Sequence, residues 1–171
     1  MKRLLIFGAG GYGRTIADIA RQMGAYETIA FLDDQNQAED ILGRFQDFAG
    51  FADGETAMYP GIGDNAIRMA WLRKLEQLKI PVPTLIHPTA YVSPTAKIGP
   101  GTMVLPMAMI ATGVTVGAGC IINMGALIDH DTVIGDGVHL SPGAVVKAQN
   151  RIPAGMKVES CQVIQNREYP L

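Results

Sequence analysis

Broken every six positions, residues 98–145 read IGPGTM VLPMAM IATGVT VGAGCI INMGAL IDHDTV IGDGVH LSPGAV, and every block opens on a branched aliphatic residue. The register runs on in both directions. Stepping by six from Ile86 through Val92, it continues past Leu140 to Val146, Ile152, Val158 and Ile164 with no insertion or slip. Four positions after each opener stands mostly a small residue, such as Ala90, Ala96, Thr102, Ala108, Cys120, Ala126 and Ala144. The second and fourth places are rich in turn formers, as in Ile98-Gly99-Pro100-Gly101. An α-helix repeats every 3.6 residues and a plain strand every 2, so neither keeps one aliphatic in six over this length. A period of six marks a hexapeptide β-helix. Each block makes one wall of a triangular prism, three blocks close a coil, and coils stack about 4.8 Å apart as parallel strands. The openers point into the prism, and the fourteen blocks from Ile86 make between four and five coils.

At 171 residues the chain is one large domain or two small ones. A net charge of −2 with no Lys/Arg cluster gives no footprint for nucleic acid. Cys120 and Cys161 lack metal-like spacing, so no metal site is expected, and Cys120 reads as a buried structural thiol in a reducing compartment. The apolar run Leu4-Leu5-Ile6-Phe7 is too short for a signal peptide, and Gly8-Ala9-Gly10 follows at once. No charge occurs from Ile98 to Ile128, yet the Gly and Pro content and the six-residue period argue against a membrane span. A cytoplasmic protein is expected.

Ahead of the repeat, Leu4–Phe7 has the character of a buried strand and Arg14–Met23 of a helix with Ile16, Ile19, Ala20 and Met23 on one face. A second strand is expected over Thr28–Leu32, ending at Asp33-Asp34. Gly8, Gly10 and Gly13 thus form G-x-G-x-x-G between a strand and a helix, with an acidic pair about twenty residues on. Such glycines let backbone N–H groups approach a phosphate at a helix N-terminus, and the carboxylates meet ribose or base. The plain alternative is a tight strand–helix turn with no ligand. A dinucleotide needs two βαβαβ halves, whereas the repeat begins too soon here for more than a half-domain. Residues 40–51 read as a polar loop with a short helix or strand. Met58–Gly63 reads as a third strand beside the first, Asp64 or Asn65 as the cap of a helix over Ala66–Leu78, and Lys79–Pro83 as a proline-stiffened strand. The result is a mononucleotide cradle.

Within the repeat, polar chemistry concentrates between Asn123 and His139. His130 stands at a corner between Asp129 and Asp131, and an imidazole held by a carboxylate is a good general base near neutral pH. His139 precedes the inward Leu140, so it points outward. The plain reading of a lone histidine is a solvated turn; His87, beside Pro88, is given that reading.

Together these motifs resemble the bacterial nucleotide-sugar N-acetyltransferases of the bacillosamine and sialic-acid pathway type. The likeness covers nearly the whole chain. It is carried by Gly8 to Gly13, Phe31-Leu32-Asp33-Asp34, Ile62-Gly63-Asp64-Asn65-Ala66-Ile67-Arg68, Leu85-Ile86-His87-Pro88 and the stretch around His130 and His139. It implies a Rossmann-like α/β half-domain over residues 1–83 and a left-handed parallel β-helix over residues 84–171, assembled as a homotrimer with sites between subunits. It implies acetyl transfer from acetyl-CoA to the amino group of a UDP-linked amino sugar. By the same resemblance His130 is the base and Asp131 its carboxylate, while Gly10, Gly11, Tyr12, Asp33, Asp34, Gly63 and Asn123 hold the sugar nucleotide and His139 meets acetyl-CoA. Two departures stand out. Many relatives have histidine where this chain has Tyr12. The small-residue slots also carry Asn150, Met156 and Gln162 after Ala144, and no Gly-Val-Pro-Ala-Lys-like coenzyme segment precedes Leu171, so the C-terminus reads as shorter than the family's. Two alternatives follow: a non-catalytic trimer that binds nucleotide sugars, and a sugar O-acetyltransferase using the same base.

Overall fold

A computed structural model describes residues 2–171. The chain divides between Pro83 and Thr84 into two compact units.

The first unit is built on four parallel strands, β1 (Arg3–Phe7), β2 (Thr28–Leu32), β3 (Ile41–Gly43) and β4 (Thr56–Pro60), in the order β3-β2-β1-β4. Leu4, Leu5, Ile6 and Phe7 of the central β1 are all fully buried, which is why that segment reads as a continuous apolar run. Helix α1 (Gly11–Met23) begins three residues earlier than its apolar face suggests, inside the glycine loop. Its Gly24 cap takes a left-handed conformation. Helix α2 (Asn65–Gln77) is capped by the Asp64 side chain, which accepts from the Ile67 N–H. The expected polar loop over 40–51 resolves into β3 and a 3-10 helix, Phe45–Phe51. Phe45 and Phe48 from that helix pack with Phe7 and Trp71, the Phe7 and Trp71 rings lying 4.5 Å apart. The proline-stiffened segment forms no strand; Pro81 contributes only a carbonyl, to the Met58 N–H.

The second unit is a left-handed parallel β-helix. One wall stacks Lys97–Ile98, Thr115–Val116, Val133–Ile134 and Arg151–Ile152. A second stacks Leu85–Ile86, Met103–Val104, Ile121–Ile122, His139–Leu140 and Lys157–Val158. The third stacks Tyr91–Val92, Met109–Ile110, Leu127–Ile128, Val145–Val146 and Val163–Ile164. Openers from Val104 to Ile164 are buried in the prism as one cluster. Every sixth residue from Gly101 to Arg167 has positive φ, so the fourth place of each block is a left-handed corner. Seven of these corners are glycine, and Met107, Asp131, Gln149, Cys161 and Arg167 occupy the rest.

Polar residues in the small slots, and Thr84 just ahead of the first block, have one common use. Thr84, Thr102, Thr132 and Asn150 each donate to the carbonyl fifteen residues on, in Gly99, Gly117, Lys147 and Gln165. Cys120 makes the same contact with the Gly135 carbonyl at 3.1 Å. The register therefore does not decay after Ala144. Asn150 is fully buried, donates to Lys147 and Gln165 carbonyls at 2.8 Å, and accepts the Tyr169 N–H at 2.8 Å. A polar side chain fits the slot because backbone groups satisfy it on every side. Asn150→Ala should cost about 1–3 kcal/mol by leaving those groups unpaired. Chemical denaturation reads this directly, and an unchanged unfolding free energy would show that the bonds contribute nothing.

Candidate functional site

The glycines of the first unit fall into two groups. A Cβ on Gly13 would lie 1.9 Å from the Gly8 carbonyl oxygen, and one on Gly61 would lie 2.7 Å from Ile6 Cγ2. These positions are required for α1, β1 and β4 to approach one another. Around Gly10, Gly11 and Gly63 an added Cβ would meet nothing within 4 Å. The three glycines that the resemblance assigns to the ligand are thus all open, as are Gly24, Gly50 and Gly54 elsewhere in the unit. The first turn of α1 has no side-chain cap and no acidic residue, so its first N–H groups remain to be satisfied from outside. Tyr12 contributes only such an N–H: its hydroxyl is buried near Tyr59 and Arg68, and burial pushes its pKa up.

Two adjoining cavities lie beside this loop. One, of about 560 Å³, is lined by Gly10, Asp33, Gln35, Asn36 and Gln37. The other, of about 300 Å³, runs from Asp33 and Asp34 to Leu42 and Arg44. Asp33 borders both. Arg68 steadies the facing loop, donating to the Ile62 and Gly63 carbonyls at 3.2 and 3.1 Å and to Asn65 Oδ1 at 2.8 Å. Nothing in the sequence flagged Arg68 as more than part of a motif.

On the β-helix, His130 Nδ1 lies 2.9 Å from Asp131 Oδ2. With Nδ1 as donor to the carboxylate, Nε2 is the acceptor and the basic atom. The carboxylate hydrogen bond raises the His130 pKa above the ordinary imidazole value, aided by the charge of Asp129. The backbone is held too: the His130 N–H donates to Asp129 Oδ1 at 2.7 Å and its carbonyl accepts the Gln149 N–H at 3.2 Å. Asp131 stands at a left-handed corner with φ of 54°, and its Oδ1 fills the space a Cβ on Gly113 would need, 2.6 Å away. Gly113 thus makes room for the carboxylate, a role no local pattern showed. Asn123 Nδ2 lies 3.3 Å from His139 Nε2, while Asn123 Oδ1 accepts the Met124 N–H at 2.9 Å. The structure therefore brings together His130 with Asp131, and Asn123 with His139. His87 is buried and bonded to Thr89. Among the described residues no group of three His, Cys, Asp or Glu side chains could hold a metal, and no helix is long and apolar enough to cross a membrane.

Comparison with known proteins agrees with this construction. Residues 3–75 match the PglD N-terminal domain, and residues 95–130 and 113–148 match the bacterial transferase hexapeptide repeat. The acetyltransferase domain of PglB from Neisseria gonorrhoeae is 31% identical, with 98% of this chain and 84% of that one aligned at a TM-score of 0.95. The same domain solved with acetyl coenzyme A aligns over 97% of this chain and 83% of that one at a TM-score of 0.94, also with 31% identity. WeeI from Acinetobacter baumannii, at 21% identity, shares the fold with a TM-score of 0.78 over 100% of this chain and 85% of its own. The 31% identity over nearly the whole chain sets it among the acyltransferases. The chain belongs to the hexapeptide-repeat acetyltransferases that carry a PglD-type N-terminal domain.

The two classes of glycine separate in a simple measurement. Gly13→Ala forces backbone atoms apart and should lower the melting temperature by several degrees, whereas Gly10→Ala should melt close to the parent. Equal melting temperatures for all three proteins would remove the distinction.

Proposed function

We propose that this chain transfers the acetyl group of acetyl-CoA to the amino group of a UDP-linked amino sugar, with His130 as general base. The observation that carries the reading is the His130–Asp131 hydrogen bond, which leaves Nε2 as the basic atom on an outward corner. The relative solved with acetyl coenzyme A supports the acyl donor. The perosamine N-acetyltransferase of Caulobacter crescentus, solved with CoA and GDP-perosamine, shares the fold at 22% identity.

The two units divide the work. The open glycines Gly10, Gly11 and Gly63 and the first turn of α1 hold the diphosphate, and the cavities bordered by Asp33 and Asp34 hold the nucleoside. Acetyl-CoA supplies the acyl group as a thioester. As the amine nitrogen bonds to the thioester carbon and the carbon–sulfur bond breaks, His130 Nε2 takes the amine proton. The sulfur then leaves as thiolate and recovers a proton from the imidazolium. Asp131 stabilises that imidazolium without itself being protonated. In this reading Asn123 meets the sugar nucleotide and His139 meets acetyl-CoA, and their contact at 3.3 Å would bring the two ligands together. A cytoplasmic site of action accords with the use of acetyl-CoA.

The third wall of the prism supports the assembly. The outward residue before each opener there is apolar, Tyr91, Met109, Leu127, Val145 and Val163, while the residue after the opener adds the charges of Asp129 and Lys147 to the same wall. Tyr91, Met109 and Val163 are 55%, 45% and 41% exposed. An apolar ladder of this length supports a homotrimer that covers it, with the acetyl-transfer sites formed between subunits.

His130→Ala should lower kcat by about two to four orders of magnitude with little change in affinity for the sugar nucleotide. Asp131→Gly keeps the left-handed corner and removes the carboxylate. The acidic limb of the pH–rate profile, which rises as His130 loses its proton, should then move to lower pH, because the hydrogen bond that raised the pKa is gone. A limb that stays in place, or a His130→Ala protein with parental turnover, would exclude His130 as the base. Leu127→Glu should break the trimer in sedimentation; trimers retained by that variant would place the interface elsewhere.

A further inference from the structure

We infer that the acidic pair at the end of β2 is divided in function: Asp33, together with Arg14, is a positioning residue that clamps the glycine loop, while Asp34 keeps an oxygen for the nucleoside. The inference rests on the nucleotide-sugar reading above and deepens it.

Ala9 is held from both sides. Its N–H donates to Asp33 Oδ2 at 2.7 Å, and its carbonyl accepts from Arg14 Nε at 3.3 Å. The other Asp33 oxygen accepts the N–H groups of Gln35 and Asn36, both at 2.8 Å. Burial alone would raise the Asp33 pKa, but the three N–H groups and the charge of Arg14 outweigh it and hold it below the carboxylate range. Arg14 is equally committed. Its Nη1 bonds Asp40 Oδ2, its Nη2 lies 3.1 Å from Asp40 Oδ1, and its guanidinium sits 4.3 Å above the Phe31 ring. A cation five residues into a phosphate loop would ordinarily be read as a phosphate ligand. Here its planar face and both terminal nitrogens are occupied by the protein.

The residues that follow Ala9 explain why a clamp is needed. Gly10 and Gly11 have no Cβ neighbours within 4 Å and no side chain to fix them. Glycine samples more backbone conformations than any other residue, so an unrestrained Gly10-Gly11 segment would have to be ordered by the ligand. Holding Ala9 at both its N–H and its carbonyl removes that freedom beforehand and lowers the entropic cost of binding. Asp34 differs in kind. One oxygen accepts the Phe45 N–H at 3.0 Å, the other makes no hydrogen bond among the described residues, and the side chain lines the cavity of about 300 Å³.

The test uses the full chain and four probes, UDP, GDP, uridine and guanosine, with affinities measured by calorimetric displacement. Arg14→Met should weaken diphosphate binding by about 10-fold or more while leaving nucleoside affinity near parental, and Asp33→Ala should weaken the diphosphates by a clearly larger factor than the nucleosides. Asp34→Ala should weaken nucleoside and nucleoside diphosphate by the same factor. Loss of nucleoside and diphosphate affinity in equal measure in Asp33→Ala, or an Asp34→Ala protein with parental affinities, would overturn the division. A second readout needs no ligand. Amide hydrogen exchange at Ala9, Gly10 and Gly11 should accelerate in Arg14→Met and Asp33→Ala but not in Asp34→Ala, and unchanged exchange in the first two would refute the clamp. If the parent binds neither UDP nor GDP, the nucleotide reading fails, and the exchange data still decide whether the clamp exists.

Discussion

A β-helix coil closes only if the chain turns at the same place in successive blocks, and from the block opened by Ile98 onward that turn is a left-handed backbone three residues after the inward aliphatic. The corner recurs without a gap from Gly101 to Arg167. It fixes everything else. A corner one residue late would send the next opener to the outer face, because side chains alternate across a strand. An L residue in this conformation costs on the order of 1–2 kcal/mol, which is why glycine fills most corners. Asp131 is one of the exceptions. Aspartate tolerates this region better than most residues, and here the corner carries its carboxylate to within 2.9 Å of His130 Nδ1. The conformation that closes the coil also aims the carboxylate that raises the His130 pKa.

The slot residues supply the second constraint. A prism of parallel two-residue strands leaves corner carbonyls between coils, and buried carbonyls without partners are costly. Thr102, Thr132, Cys120 and Asn150 stitch them to the coil before. Small size is therefore only half of what the slot demands. The other half is a donor, and that is why asparagine at position 150 continues the repeat rather than ending it.

What could be read from the sequence follows the range of each interaction. The walls were legible because period six is a local property repeated many times. His130 and Asp131 were legible because they are adjacent. Asn123 and His139 are sixteen residues apart, and only the coil geometry brings their side chains together. The clamp on Ala9 was hidden more deeply. It joins Ala9 to Asp33 and Arg14 to Asp40, separations of 24 and 26 residues within an irregularly connected unit. A glycine fingerprint followed by an acid suggests ligand contacts at both, and it cannot say that one acid is spent on the loop itself. Likewise the 40–51 segment showed no clean period, since its role is to bring Phe45 and Phe48 onto Phe7 and Trp71 rather than to line a regular face.

The exposure of the proposed base bears on the proposed assembly. The side chains of His130 and Asp131 are more than half exposed, at 53% and 58%. In that setting water screens the pair, and the ion pair formed as the imidazole takes a proton gains little. A transferring acyl group also gains most from fixed dipoles where water is excluded. The neighbouring wall carries an apolar row in the same coils, with Leu127 and Val145 half-buried and Met109 and Val163 exposed. Covering that wall with another copy would desolvate the neighbouring corner at the same time. In the proposed trimer, assembly and activation of the proposed base would then be one event, the apolar row serving both.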